Sequence, residues 1–243
     1  MKTGRLVTIL AIAGLSFVFA SCSETLTSVE DSTELSAVEK SSEVAALCGA
    51  CDFSGTLTEA EVAGLMEMRE EEKLAREVYL FLYEKFGYRV FSNISKSENA
   101  HASAVLYLIS GYGLTDPTPV AATEFSNPLF SDLFKQLTEK GSESLVEALK
   151  TGAFIEERDI ADLQRLLEGT QSENIKRVYG NLLSASKIHL RAFANSLKLQ
   201  GETYSPTIIS VEEYAEILGE SGFAGNTGTT TTPGTCDGTG PNN

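Results

Sequence analysis

Residues 96–105 read KSENAHASAV. They sit in a segment whose other apolar residues, Ile94, Val105, Leu108 and Tyr112, recur at threes and fours, the spacing of one face of an α-helix. The same spacing demands core residues at 98 and 101, and the sequence supplies Glu98 and His101 instead. An acid and a histidine three apart on an apolar helix face need a reason, because burying an unpaired carboxylate costs several kcal/mol or shifts its pKa.

Three other helical segments show the same interruption. Thr58-Glu-Ala-Glu61 is a capping box opening a helix that runs to Phe86, where Gly87 supplies the stop. Its stripe is Leu65, Met68, Ala75, Tyr79, Leu82 and Phe86, interrupted by Glu72. Glu67, Glu70, Glu71 and Lys73 read mostly as its solvated face. The Glu98 helix is expected from Ser92 to Gly111. A Pro-rich connection, GLTDPTPVAATEFSNP, follows, then a short helix over 128–139. A third long helix, from Ser142 to Glu168, carries Leu145, Leu149, Gly152, Leu163 and Leu166, interrupted by Glu156 and Asp159. The fourth, from Ser172 to Leu199, carries Ile175, Val178, Leu182, Ala185, Ala192 and Leu199, interrupted by His189 with Ser186 one turn before it. VEEYAEIL after Ser210 reads as a capped amphipathic helix docking on the rest. No stretch alternates strictly enough for a strand.

The expected fold is therefore all-α, a four-helix bundle in which a crossover connection carries a short extra helix. The interruptions fall near mid-helix and so meet at one depth. Several acids converging there would repel one another, and a pair of dications between them would remove the conflict. An E-x-x-H pair on one helix with acids on two others matches the ligand pattern of carboxylate-bridged di-metal bundles. Both histidines of the chain fall into it. The alternative is a metal-free polar cluster, its acids satisfied by protonation, by serine, or by Arg76 and Arg191. Tyr79 and Tyr107 read as packed tyrosines, with a redox role as the alternative.

MREEEKLAREVYLFLYEKFG, ISKSENAHASAV, ALKTGAFIEERDIADL and VYGNLLSASKIHLRAF resemble the ferritin-like proteins catalogued as domain of unknown function 2202, over residues 57–205. More distantly, EKLAREVY with E-N-A-H is similar to the rubrerythrin form of the ferritin-like bundle. That resemblance implies metal ligands at Glu72, Glu98, His101, Glu156 and His189, with Asp159 as an alternative to Glu156. It implies iron or manganese, or zinc, as the bound ion and no organic cofactor. With iron, oxidase, peroxidase or metal-handling chemistry on a small oxidant or metal ion would follow. The chain departs from the pattern at Ser186, where a second E-x-x-H would carry a carboxylate. It also lacks the paired C-x-x-C module that serves rubrerythrins as an electron donor.

The ends of the chain read differently. Lys2 and Arg5 precede the apolar run LVTILAIAGLSFVFA, too short for a comfortable membrane span and of export-signal length. Its FAS-Cys22 end resembles a bacterial lipobox, with Phe19 where Leu or Val is usual. Residues 1–21 are thus expected to be a signal, and Cys22 a lipidated anchor at the cell-envelope membrane surface. Residues 22–55 read as a flexible tether, 56–220 as the bundle and 221–243 as a disordered Gly/Thr-rich tail. In the tether, Cys48 and Cys51 are expected to form a local disulfide of an exported protein. The chain carries 34 acidic and 19 basic residues; without Lys2 and Arg5, 17 basic residues against 34 acidic give about −17. Such a surface repels phosphate backbones and excludes nucleic acid as a partner. A homo-oligomer stays open as a second kind of partner.

Overall fold

The computed structural model describes residues 51–219. The expected signal, Cys22, Cys48 and the Gly/Thr-rich tail lie outside them. Cys51 is disulfide-bonded; it is the single cysteine among the described residues, so the expected pairing with Cys48 also lies outside them.

The described residues are helical, with no strand. Four long helices, α1 (Glu59–Phe86), α2 (Arg89–Gly111), α4 (Leu145–Gly169) and α5 (Glu173–Leu199), are joined by a crossover holding α3 (Pro128–Gly141), and α6 (Val211–Leu218) follows. None is long and apolar enough to cross a membrane. Their ends follow from local chemistry. Thr58 and Glu61 form the reciprocal capping box, and Gly87 closes α1 at φ 64°, a conformation that favours glycine. Ser144, Ser172 and Ser210 cap α4, α5 and α6 with their hydroxyls.

Two expected boundaries shift. Helix α2 starts at Arg89 rather than Ser92, with no side-chain cap. Gly87 turns the chain so sharply that Tyr88 already leads into the helix, and the buried ring of Phe91 anchors the first turn against Tyr79 and Phe193. Ser142 closes α3, and Ser144 opens α4 two residues later.

Contacts give the directions. Glu67 pairs with Arg165, Glu71 with Arg158, and the Tyr79 hydroxyl reaches the Gly152 carbonyl, so α1 and α4 are antiparallel. Tyr112 meets Ser172 and Phe91 meets Phe193, so α2 and α5 are antiparallel too. Two helical hairpins therefore pack with every neighbour antiparallel, and the long crossover lets α4 run parallel to α2.

The crossover overturns one expectation. Glu70, Glu71 and Lys73 are buried, not solvated. Lys73 Nζ donates to the carbonyls of Pro119, Ala121 and Glu124 at 2.6–2.8 Å and lies over the Phe125 ring. Glu70 accepts from the amides of Ser126 and Asn127. That face of α1 holds loop backbone, whose groups must find partners once buried. The packed chain also begins ahead of α1: Phe53 meets Tyr107 and Tyr112 edge-on, and Asn174 donates to the Asp52 carbonyl. On α5 the expected seam drifts, with Leu199 exposed and Leu190, Phe193 and Leu197 buried in its place. A straight helix rotates roughly 20° per heptad against a fixed seven-residue repeat, and the predicted series 178, 185, 192, 199 accumulates that drift.

The apolar core is in two parts. One holds Leu74, Val78, Leu82, Ile94, Ile155 and Leu197; the other holds Leu65, Met68, Val105, Leu108, Leu163 and Leu182. Between them the seams carry acids and histidines. The first part ends in a fully buried aromatic group, Tyr79, Phe91 and Phe193, with centroids 5.3–6.3 Å apart. Gly152 lies against Phe193, where an added Cβ would meet the ring at 2.4 Å. Gly152→Ala gains about 1 kcal/mol of helix propensity but overpacks a closed core at a cost of 1–3 kcal/mol. We expect a net loss in urea denaturation. Gly180→Ala, where nothing lies within 4 Å, gains stability in the same assay.

Candidate metal centre

The polar layer is built from one or two residues per helix. Glu72 comes from α1, Glu98 and His101 from α2, Glu156 and Asp159 from α4, and Ser186 and His189 from α5. All are buried. Helical spacing puts Glu98 and His101 on one face, and the antiparallel neighbours bring the other seams to the same depth.

Two ligand groups result. Glu72, Glu98 and His101 form one, Glu98, Glu156 and His189 the other, and in each the donor atoms lie within 4.8 Å of one another. Glu98 belongs to both. His101 Nδ1 is 2.8 Å from Glu98 Oε2 and 3.3 Å from Glu72 Oε2. His189 Nδ1 is 2.9 Å from Glu98 Oε1 and 3.3 Å from Glu156 Oε2. The two imidazoles stack at 5.7 Å between centroids. His101 Nε2 is 3.2 Å from the Ser97 hydroxyl, which helps fix the ring. Glu72, Glu98, His101, Glu156 and His189, expected as ligands from the sequence, thus converge; Asp159, expected as an alternative to Glu156, is buried in the same layer against Ser186 but belongs to neither group.

Hydrogen bonds leave this layer incomplete. Glu72 Oε1, Glu98 Oε1, Asp159 Oδ1 and His189 Nδ1 are buried with no hydrogen-bond partner. His189 Nδ1 and Glu98 Oε1 are close, yet their directions do not suit a hydrogen bond. Atoms that approach without bonding fit donors arranged around a shared centre. Buried polar atoms are normally satisfied, and oxygen and imidazole donors suit a dication. Each group could hold a metal ion. Arginine does not fill the layer: Arg76 turns to Glu77 and Asn99, and Arg191 donates to the Ile217 carbonyl.

The electrostatics show what holds the charges without metal. Burial pushes the Glu72 carboxyl up to about 8 despite His101. Burial, then the Glu98 charge, raises Glu156, and burial with Glu72 and Glu156 raises Asp159 well above the carboxylate range. Burial would raise Glu98 as well, but His101 and His189 hold it well below. Burial opposes charge on the imidazoles, yet Glu72 and Glu98 raise His101, and Glu156 with Glu98 raises His189 to about 10. Protons therefore neutralise the cluster when no cation does.

Tyr79, expected as a packed tyrosine, also donates to Glu156 Oε1 at 2.5 Å and so orients a ligand. Tyr107 is partly exposed and packs on Phe53, away from the layer. Glu71 was missed. It pairs with Arg158 at 3.1 Å, and its other oxygen is buried without a partner. Its signal lay in the crowding of three acids at 70–72 opposite the E-E-R-D of α4, which marks a helix flank facing a neighbour rather than water.

The family described as "Uncharacterized protein domain (DUF2202)" matches residues 61–221. The chain belongs to this family. A relative, the uncharacterized protein MJ0754 of Methanocaldococcus jannaschii, is 50% identical over 166 residues, spanning 68% of this chain and 90% of that protein. The crystal structure of hypothetical protein MJ0754 from Methanococcus jannaschii DSM 2661 is similar at a TM-score of 0.67 and 49% identity, over 68% of this chain and 95% of that one. Neither the family description nor these names states a function.

Proposed function

We propose that this DUF2202 protein is an exported, lipid-anchored member of the ferritin-like class that holds one or two metal ions, with iron or manganese favoured and zinc as the alternative, in the polar layer of its bundle. The observation that carries the reading is the sharing of Glu98 between two Glu/Glu/His groups whose donor atoms lie within 4.8 Å. Glu72 and His101 would hold an ion on one side, Glu156 and His189 on the other, with Glu98 between them. Iron or manganese bound there would supply oxidation, peroxide-removal or metal-handling chemistry at an open coordination position. The chain's own residues bury the ligands, orient His101 through Ser97 and Glu156 through Tyr79, and keep bulk water out between two apolar core sections. Export and anchoring rest on Lys2, Arg5, the apolar run and Cys22.

A second reading, a metal-free binding or structural module, draws on Ser186. It stands where the second E-x-x-H would place a carboxylate, and its hydroxyl bonds with Asp159.

The two readings part in one experiment. The full chain is purified without chelator and its iron, manganese and zinc are quantified beside a His101→Ala/His189→Ala variant. We expect about one or two metal ions per wild-type chain, as in dinuclear carboxylate bundles, and none in the variant. No metal in either, even after anaerobic reconstitution with Fe(II) or Mn(II), leaves the metal-free module.

A further inference from the structure

Asp159 belongs to neither ligand group, and its environment is odd for a structural residue. It is 6% exposed. Its Oδ1 is buried and has no hydrogen-bond partner, a state that buried polar atoms normally avoid. Its Oδ2 accepts a hydrogen bond from the Ser186 hydroxyl. That hydroxyl also lies 2.8 Å from the Leu182 carbonyl, yet it has one proton to give.

The helical offsets say what this arrangement replaces. On α2, Glu98 stands three residues before His101; on the antiparallel helix α5, Ser186 stands three residues before His189. Ser186 is thus the counterpart of the shared carboxylate, cut back to a hydroxymethyl group. The space it leaves is reached from α4 by Asp159, one turn past Glu156.

We propose that Asp159 is a metal ligand in its own right: it supplies from α4 the second shared carboxylate that α5 lacks, with Ser186 as the group that positions it. This assignment rests on the metal reading above. Charge supports it. Glu72, Glu98, Glu156 and Asp159 together carry four negative charges, which balance two dications between neutral imidazoles; without Asp159 a net positive charge would be left in a buried layer, which is costly. With Ser186 donating to Oδ2, the partnerless Oδ1 would be the atom left to hold an ion. Such a ligand exchange between neighbouring helices keeps the donor set of a dinuclear site while changing the helix that provides it.

The test uses the full chain, stripped of metal and loaded anaerobically with Mn(II). It reads bound Mn(II) per chain by elemental analysis and exchange coupling between ions by electron paramagnetic resonance. Asp159→Asn keeps the shape and the bond to Ser186 but removes the charge. It is expected to bind at least about tenfold more weakly, the loss typical of altered metal surroundings, and to lose the coupled signal. Asp159→Asn/Ser186→Glu returns a carboxylate to α5 and is expected to regain both. Circular dichroism and urea denaturation confirm that each variant is folded, and Ser186→Asp replaces Ser186→Glu if the longer side chain does not fit. Asp159→Asn binding Mn(II) like the wild type overturns the assignment. So does a loss that no carboxylate at 186 repairs, because Asp159 then acts through structure alone. Failure of the underlying metal reading looks different: the wild type itself takes up no Mn(II).

Discussion

Glu98→Gln is expected to abolish metal binding, whereas Glu72→Gln and Glu156→Gln each leave one of the two positions able to bind. The difference follows from placement. Glu98 Oε2 meets His101 and Oε1 meets His189, so one side chain serves both groups; Glu72 and Glu156 each serve one. Glutamine keeps the size but offers a single neutral oxygen, and its amide nitrogen would face an ion. Elemental analysis of the three variants after Fe(II) reconstitution gives the comparison, and equal retention in all three would refute the sharing. A readout free of metal accompanies it. The chain has two histidines, both held protonated in part by the Glu98 charge. Removing that charge lowers both imidazole pKa values, so their NMR titrations should move to lower pH together. Glu72→Gln should move His101 more than His189, because Glu72 contacts only His101.

The same geometry explains which parts of the site were legible in the sequence. A ligand facing the core interrupts an apolar stripe, and a stripe is periodic, so Glu72, Glu98, Glu156 and His189 stand out against their neighbours. Capping residues gave most helix ends for a similar reason, since their partners lie three residues away. The loop-fastening roles of Glu61, Glu70 and Glu157 were not legible, although Glu61 stood out as the capping-box partner of Thr58. Each is buried and fastens loop backbone: Glu61 accepts from Gln171 and Ser172, Glu70 from Ser126 and Asn127, Glu157 from residues 207–209. Backbone amides carry no residue identity, so nothing in the sequence marks the acid that will hold them. Glu70 and Glu157 look like ordinary solvated helix positions. The role of Ser186 was half legible. Its departure from E-x-x-H was plain, but the answer from Asp159 depends on how α4 and α5 are rotated toward each other, which no single-helix pattern contains.

Among these fastening acids Glu157 should show the largest effect on stability. It is fully buried at the middle of α4, one residue from Glu156 but on the helix flank facing the chain after α5. Its carboxylate accepts from the amides of Thr207, Ile208 and Ile209 and from the hydroxyls of Tyr204 and Thr207. Hydrogen bonds to a charged acceptor contribute about 1.5–3 kcal/mol each, so the set is the main tie of this segment. In Glu157→Ala three amides lose their acceptor. They are satisfied again only if the segment lifts into water, and the loss is then capped at the energy of docking it. We therefore expect local release rather than global unfolding. Hydrogen exchange at 207–209 should rise toward the unprotected rate, proteolysis should begin within 200–210, and the main transition should fall by roughly 3 kcal/mol, within the range of a broken buried charge network. α6 should loosen with the segment, because Tyr214 packs edge-on against Tyr204 of the segment itself; α6 is otherwise tied by Arg191 to the Ile217 carbonyl at 2.8 Å, Gln164 to Glu213 at 2.6 Å and Lys187 to Glu213 at 3.8 Å. Metal content should stay at the wild-type level, since Glu156 is held from the other side by Tyr79. Unchanged exchange at 207–209 would mean that apolar packing of Ile209, Tyr214 and Ile217 holds the segment, and loss of metal would mean that the segment braces the site.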